Sequence, residues 1–157
     1  MTPGSRPYFT FEPPGYQLHL WRDGTLVTHT ATFGDWQHLW FTPAHLGDSS
    51  IAGVTATPAN DGVPNLVKYA FNLNPLRTTG SQGNPSLPVP TVSGSNLTLT
   101  FNATQTDVNY SAEASTDLFD WSDDGVTLQA NGTLKTASHA IPTSGAIYLR
   151  IVITPIP

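Results

Sequence analysis

The sequence contains no cysteine in 157 residues, which excludes a disulfide framework, a thiol nucleophile and a thiolate metal site. Charge is also scarce: charged residues make up 11% of the chain, and six basic against eleven acidic side chains leave a net charge of −5. A net negative charge argues against a nucleic-acid partner, because such partners are held by basic surfaces. No apolar run approaches the roughly 18 residues that a membrane-spanning helix needs, so no membrane span is expected.

Proline and glycine are plentiful, with 14 and 13 residues, and Ser, Thr and Asn are common. This composition is typical of a mainly β extracellular module with many turns. No signal peptide opens the chain, so export would mean that the sequence is a fragment or has lost its signal. The sequence divides into a Pro-rich arm with a hairpin (1–32), a short-helix subdomain (33–76), a linker (77–87) and a β-sandwich (88–157).

Two alternating runs flank Asp23-Gly24 and predict a β-hairpin, since Asp-Gly accepts the positive φ angles of a tight turn. Leu18 and Leu20 fall on one face, and His19 and Trp21 fall on the other. His19 and His29 lie at similar distances from the turn. They are either surface residues or a cross-strand pair able to hold zinc or copper with a third ligand.

Residues 33–41 change to a helical period, with Phe33, Trp36 and Trp40 on one side. Gly34-Asp35 is the predicted cap of this helix. Thr42 as N-cap and Pro43 at the first helical position predict a second short helix ending at Leu46. Residues 49–57 are predicted to be a linker.

From residue 88 onward the pattern is that of strands, with turns at 93–95 and at Asn131-Gly132. The predicted fold is therefore mainly β, an antiparallel Ig-like or jelly-roll-like sandwich with a small subdomain of two or three short helices. The predicted strands are 88–93, 96–104, 108–115, 125–130, 133–138 and 146–154.

The centre of the chain, residues 57–75, combines an Asp61-Gly62 turn with a predicted helix that begins at Pro64 and ends before Asn72. The same letters can be aligned with a calcium loop, with Gly62 at its sixth position. Calcium needs six to eight oxygen ligands, including a glutamate at position 12.

In that alignment Thr57 and Ala59 replace two expected ligands, and Lys68 replaces the glutamate. Asp61 and Asn65 would be the remaining side-chain ligands. The sequence therefore predicts no metal and no other cofactor, with calcium at this loop as the alternative.

Residues 61–75, Asp-Gly-Val-Pro-Asn-Leu-Val-Lys-Tyr-Ala-Phe-Asn-Leu-Asn-Pro, resemble a motif near the C-termini of large exported bacterial proteins. There a thrombospondin-type-3-like or dockerin-like loop precedes Pro-Asn-Leu-Leu-Glu-Tyr-Ala-Leu-Gly-Leu-Asn-Pro. Residues 40–48 and 108–121 are similar to other parts of the same tail. The resemblance implies a C-terminal module of a secreted or cell-surface protein, attached to an upstream domain, with a helical motif packed against a β-sandwich. It also implies that Trp121 is buried in the sandwich.

An acidic stretch without basic residues follows: Asp107, Glu113, Asp117, Asp120, Asp123 and Asp124. Two such carboxylates in a cleft are able to hydrolyse a glycoside, and the stretch is alternatively a weak calcium site. The turn context favours a solvated loop at 120–124, with Asp117 as a turn or cap residue. No Gly-x-Ser-x-Gly elbow is present.

Exposed aromatic residues beside polar ones are the strongest functional signal. Trp21, with Tyr16 and His19, is the predicted ligand-binding set. The favoured function is a non-catalytic accessory module that binds a polysaccharide or a cell-surface glycan. A structural spacer or sorting tail is the alternative, and a small carboxylate-based glycoside hydrolase or lyase is the further alternative.

Overall fold

The computed structural model describes residues 17–22, 25–30 and 32–157, and of the first two segments it describes the backbone alone. Four short helices lie between an N-terminal hairpin and a C-terminal run of six strands. In chain order the elements are β1 (Gln17–Arg22), β2 (Thr25–Thr30), α1 (Phe33–Trp40), α2 (Pro43–Leu46), α3 (Ser49–Ala52), α4 (Asn65–Ala70), β3 (Thr91–Ser93), β4 (Asn96–Asn102), β5 (Val108–Ser115), β6 (Thr127–Asn131), β7 (Leu134–Ala140) and β8 (Tyr148–Pro155).

The six C-terminal strands form two antiparallel sheets, a four-stranded sheet of order β3-β4-β7-β6 and a β5–β8 ribbon. The predicted mainly β class with a few short helices is confirmed. Phe101 of β4 stacks on Tyr110 of β5 with ring centroids 5.9 Å apart, so the inner faces of the two sheets meet. The strand β3 is shorter than the predicted 88–93 because Pro88 and Pro90 cannot donate to a ladder.

The helix α1 begins one residue earlier than its predicted cap. Thr32 is the N-cap, and its side chain and the Asp35 carboxylate form a reciprocal capping box. The predicted Gly34-Asp35 cap is wrong because Asp35 already lies at the third helical position, where it bonds back to the Thr32 N–H at 2.9 Å. Thr42 and Pro43 start α2 as predicted.

The segment predicted as a linker, 49–57, contains the one-turn helix α3. Asp48 caps it, with Oδ1 accepting from the Ser50 N–H at 2.9 Å. A four-residue helix is too short to show a hydrophobic period, so the sequence pattern could not reveal it.

One continuous hydrophobic core joins the helices to both sheets. Trp36 is buried and packs edge-on against Tyr69 of α4, with ring centroids 5.8 Å apart. Phe71, just after α4, packs against both Phe101 and Tyr110. Since a short helix is stabilised mainly by packing, these aromatic contacts explain why α1 and α4, of eight and six residues, hold helical form.

The hairpin register places position 19 opposite Thr28 and position 29 opposite Leu18. Directly opposed residues share a face and successive residues alternate. Positions 19 and 29 therefore belong to opposite faces of the β1–β2 ladder, and this register contradicts the alternative in which His19 and His29 form a cross-strand pair.

Candidate functional site

The loop between β5 and β6 combines an exposed aromatic ring with a strained backbone. Residues 116–121, called the tip loop here, are shaped by hydrogen bonds to Asp117 and Ser115. Asp117 Oδ1 accepts from the N–H groups of Phe119 and Asp120 at 2.8 and 2.9 Å. Ser115 Oγ accepts from the Leu118 N–H at 2.8 Å. The prediction that Asp117 is a turn or cap residue is confirmed in its first form, since Asp117 stabilises a turn.

The Asp117 carboxylate is held in its charged form, because the N–H of Phe119 and then that of Asp120 lower its pKa. A general acid needs the opposite shift, since it must keep its proton near neutral pH. Asp117 therefore serves the loop as an anchor and is unsuited to the acid role in glycoside hydrolysis.

The apex of the tip loop exposes two apolar side chains. Leu118 adopts a φ of 69°, a left-handed conformation that costs a residue with a Cβ about 1–2 kcal/mol. Phe119 is 87% exposed. Backbone strain and an exposed aromatic ring both cost stability, and strained loop conformations concentrate at functional sites.

Trp121, at the end of the tip loop, lies half-buried on the outer face of the β5–β8 ribbon, and its predicted burial in the sandwich is wrong. The Arg150 guanidinium stacks over its ring at 4.2 Å from the centroid. The indole N–H donates to the Leu118 carbonyl at 3.1 Å. Arg150 also donates two hydrogen bonds to Glu113 Oε2, at 2.6 and 2.9 Å.

These contacts explain the position of Trp121. A tryptophan on the inner face would have to displace residues already packed there, such as Leu149, whereas on the outer face its ring gains a cation–π contact. The result is a fixed aromatic plane beside a charged donor and acceptor pair. We call Glu113, Trp121 and Arg150, together with the exposed Phe119 at the apex of the same loop as Trp121, the outer patch.

A shallow depression of about 170 Å³ lies near the base of the tip loop. Asp120, Asp124 and His139 line it with Ser115 and Ser122. Its volume is below the roughly 300 Å³ at which small-molecule sites begin. Within residues 32–157 and the two described strands before them, no three His, Cys, Asp or Glu side chains group to hold a metal ion.

The central motif forms the predicted turn and helix, but Pro64 is the N-cap in an extended conformation, and α4 begins at Asn65 instead of at the predicted Pro64. Asp61 Oδ2 accepts from both the N–H and the hydroxyl of Thr79 at 2.8 Å. The Lys68 ammonium lies 2.9 Å from the same oxygen. Asn65 is buried, and its amide NH2 group donates to the carbonyls of Ile51 and Gly53. Asp61 and Asn65 therefore serve different partners.

Asp107 joins the helices to the sheets. Its Oδ2 accepts from the Phe33 N–H at 2.8 Å, and its Oδ1 accepts from the Tyr69 hydroxyl. The Tyr110 hydroxyl donates to the Ala70 carbonyl at 2.9 Å. Burial first and the Asp107 hydrogen bond second raise the pKa of Tyr69, and burial raises that of Tyr110 to about 12. Asp107, the first residue of the acidic stretch, therefore connects the helices to the sheets.

The predicted ligand-binding residues lie where the structure gives no side chains. Tyr16 is outside the described residues, and His19 and Trp21 are described by backbone alone, both on β1. Their role in ligand binding stays a prediction.

Comparison with protein-family models, with curated proteins and with solved structures finds no match. The resemblance to a bacterial C-terminal tail module therefore stays a prediction, and function has to be argued from geometry. No helix in the described part of the chain is long and apolar enough to cross a membrane.

Two members of the outer patch were missed from the sequence, Phe119 and Arg150. The signal for Phe119 was present, because Asp117-Leu-Phe-Asp120 places two apolar residues inside a polar turn segment. Arg150 gave no signal, because its pairing with Glu113 depends on the β5–β8 register.

Proposed function

We propose that the protein is a non-catalytic accessory module of a secreted or cell-surface protein, and that its outer patch binds a carbohydrate chain. One observation carries the proposal: the 87% exposed Phe119 ring projects from a loop that hydrogen bonds fix in a strained form. An unpartnered aromatic ring forgoes about 1.5–3 kcal/mol of burial, and a ligand would recover it.

The chemistry of the outer patch suits a sugar. Sugar rings present C–H faces that pack on aromatic planes and hydroxyl groups that hydrogen bond to charged side chains. Phe119 and Trp121 supply the planes, Arg150 supplies donors, and the Glu113 carboxylate supplies acceptors. The low overall charge fits a neutral ligand. Polar groups beside aromatic ones are the usual means by which a site fixes orientation and specificity.

A structural spacer is the second candidate, favoured by the single core that joins helices to sheets. Such a module would keep an upstream domain away from a surface and bind nothing itself. A glycoside hydrolase or lyase has less support, since Asp107 bonds the helices to the sheets, Asp117 stabilises a turn and Glu113 is paired with Arg150.

Retention on insoluble polysaccharides tests the proposal. Wild type, Phe119→Ala and Trp121→Ala are incubated with cellulose, chitin and xylan, and bound protein is measured after centrifugation. Each substitution is expected to weaken binding at least about tenfold, the effect of losing one aromatic anchor. Val92→Ala is the matched control, because Val92 is a 68% exposed apolar residue on β3 and outside the outer patch.

Trp21→Ala in the same assay tests the hairpin prediction. If Trp21→Ala abolishes retention while Phe119→Ala does not, the ligand binds at the hairpin and the outer patch is not the site. If wild type is retained on no polysaccharide, the binding proposal fails and the spacer remains. Thermal unfolding of each variant shows whether its fold is intact.

A further inference from the structure

Lys68 is a completely buried lysine surrounded by oxygen atoms. Its side chain is 0% exposed, and that of its partner Asp61 is 6% exposed. The ammonium lies 2.9 Å from Asp61 Oδ2, and donates to the Arg77 carbonyl at 2.9 Å and the Pro75 carbonyl at 3.4 Å. We call the Asp61 carboxylate and these two carbonyls the cation cage.

The surrounding chain is folded to hold this arrangement. Asn84, which is buried, donates to the carbonyls of Asn74 and Arg77 at 3.3 and 2.9 Å. Its Oδ1 accepts from the Asn74 N–H at 2.8 Å. Asn84 thereby fixes the segment that supplies both carbonyls. Since Thr79 holds Asp61, each component of the cation cage has its own support.

The calcium alternative can be tested against these contacts. Calcium takes six to eight oxygen ligands at 2.3–2.6 Å, and the cation cage has three oxygen atoms around an ammonium at longer distances. Both Asp61 oxygens are already hydrogen bonded, Oδ1 to the Val63 N–H and Oδ2 to Thr79. The residues of this loop therefore do not fit calcium.

We infer that the central loop is a cation site whose resident cation is the chain's own ammonium. The oxygen atoms of the loop require a positive charge among them, and Lys68 supplies it from within α4. Such a loop folds without external calcium. It follows that removing the Lys68 side chain leaves a cavity lined by oxygen atoms, which takes a small monovalent cation such as ammonium or potassium.

Chemical rescue tests this inference by thermal unfolding of Lys68→Ala. Without a small cation the Tm is expected to fall by roughly 10 °C or more, because an unpaired buried carboxylate is strongly destabilising. Ammonium chloride is expected to raise the Tm of Lys68→Ala well above its value in tetramethylammonium chloride at the same ionic strength. Wild type and Lys135→Ala are the controls and should respond equally to the two salts.

Two results would overturn the inference: a folded Lys68→Ala that ammonium stabilises no more than it stabilises the controls, or a wild type whose Tm rises with calcium and falls with a chelator.

Native-state acetylation gives a readout that needs no variant. The chain has two lysines, so an acylating reagent on folded wild type should modify Lys135 and spare Lys68 until denaturant is added. Equal modification of both in the folded protein would contradict the buried cage.

Discussion

At the scale of single residues, Asp61 and Lys68 lose their hydration on folding and gain an ion pair and directed hydrogen bonds. A buried ion pair rarely adds much net stability, because the cost of removing two charges from water offsets their attraction. Breaking it is costly, because the remaining charge stays buried without its counter-charge. The pair is therefore better understood as fixing one loop geometry than as a source of stability.

The pair should make folding sensitive to acid. Burial by itself raises the pKa of Asp61, but hydrogen bonds from Lys68, Thr79 and Val63 outweigh it, and the folded pKa lies below the ordinary 3.8. The unfolded chain therefore binds this proton first as the pH falls. The contribution of Asp61 is complete above about pH 4 and is lost below it.

Urea unfolding between pH 7 and pH 2.5 measures this effect. Asp61→Asn should lose about 3 kcal/mol at pH 7, since it leaves the buried ammonium without its counter-charge. Its stability should also fall less steeply than that of wild type below pH 4. Asp123→Asn, at an exposed carboxylate, is the control. Parallel pH profiles for Asp61→Asn and wild type would disprove the role given to Asp61.

The sequence showed part of this site and could not show the rest. Lys68 at the position of the calcium-binding glutamate was visible by counting from Gly62, and it was the reason to expect no calcium at this loop. Its partners were not visible, because the carbonyls of Pro75 and Arg77 belong to every peptide and only the path of the chain brings them to Lys68.

At the scale of elements, the sequence predicted the bounds of helices and strands that are set by local residue preferences. It did not predict positions that depend on tertiary contacts. The helix α2 began at its proline, and β5 spans the predicted 108–115. The outer position of Trp121 could not be predicted, because Trp121 lies in the loop between β5 and β6 and its position depends on contacts with residues distant in the sequence. The arginine that covers its ring comes from β8, almost thirty residues later in the chain.

Substitutions at Leu118 test whether the strained backbone of the tip loop contributes to carbohydrate binding. Leu118→Gly relieves the positive φ, whereas Leu118→Ala keeps the strain and removes the apolar side chain. The glycine variant should be more stable than the alanine variant by about 1 kcal/mol, because glycine adopts this conformation without a Cβ clash.

Chemical denaturation gives the two stabilities, and the polysaccharide assay gives binding. Both variants should bind more weakly than wild type if Leu118 is part of the contact surface. A glycine variant no more stable than the alanine variant would show that the loop is unstrained at this residue. Unchanged binding in both would limit the contact to Phe119 and Trp121.

At the scale of the whole molecule, the helices and sheets are joined by three kinds of contact. The hydrophobic core is continuous between them. Asp107 holds both the start of α1 and Tyr69 of α4. Gln105 Nε2 donates to the Tyr69 carbonyl at 3.3 Å and to Asn72 Oδ1 at 2.8 Å. The short helices therefore share their core and several hydrogen bonds with the sheets, and residues 33–157 should unfold as one unit.

Hydrogen exchange of the native protein tests this cooperativity. Peptides from α1, α4 and β4–β5 should open with the same free energy, because small domains with one core unfold in a single transition. Tyr69→Phe should lower that common free energy by about 1–3 kcal/mol, since Asp107 Oδ1 then loses a buried donor. Tyr148→Phe, at a 39% exposed tyrosine, should leave it unchanged. If the helix peptides of wild type open with a much lower free energy than the strand peptides, the helices form a separate unfolding unit, and the prediction is wrong.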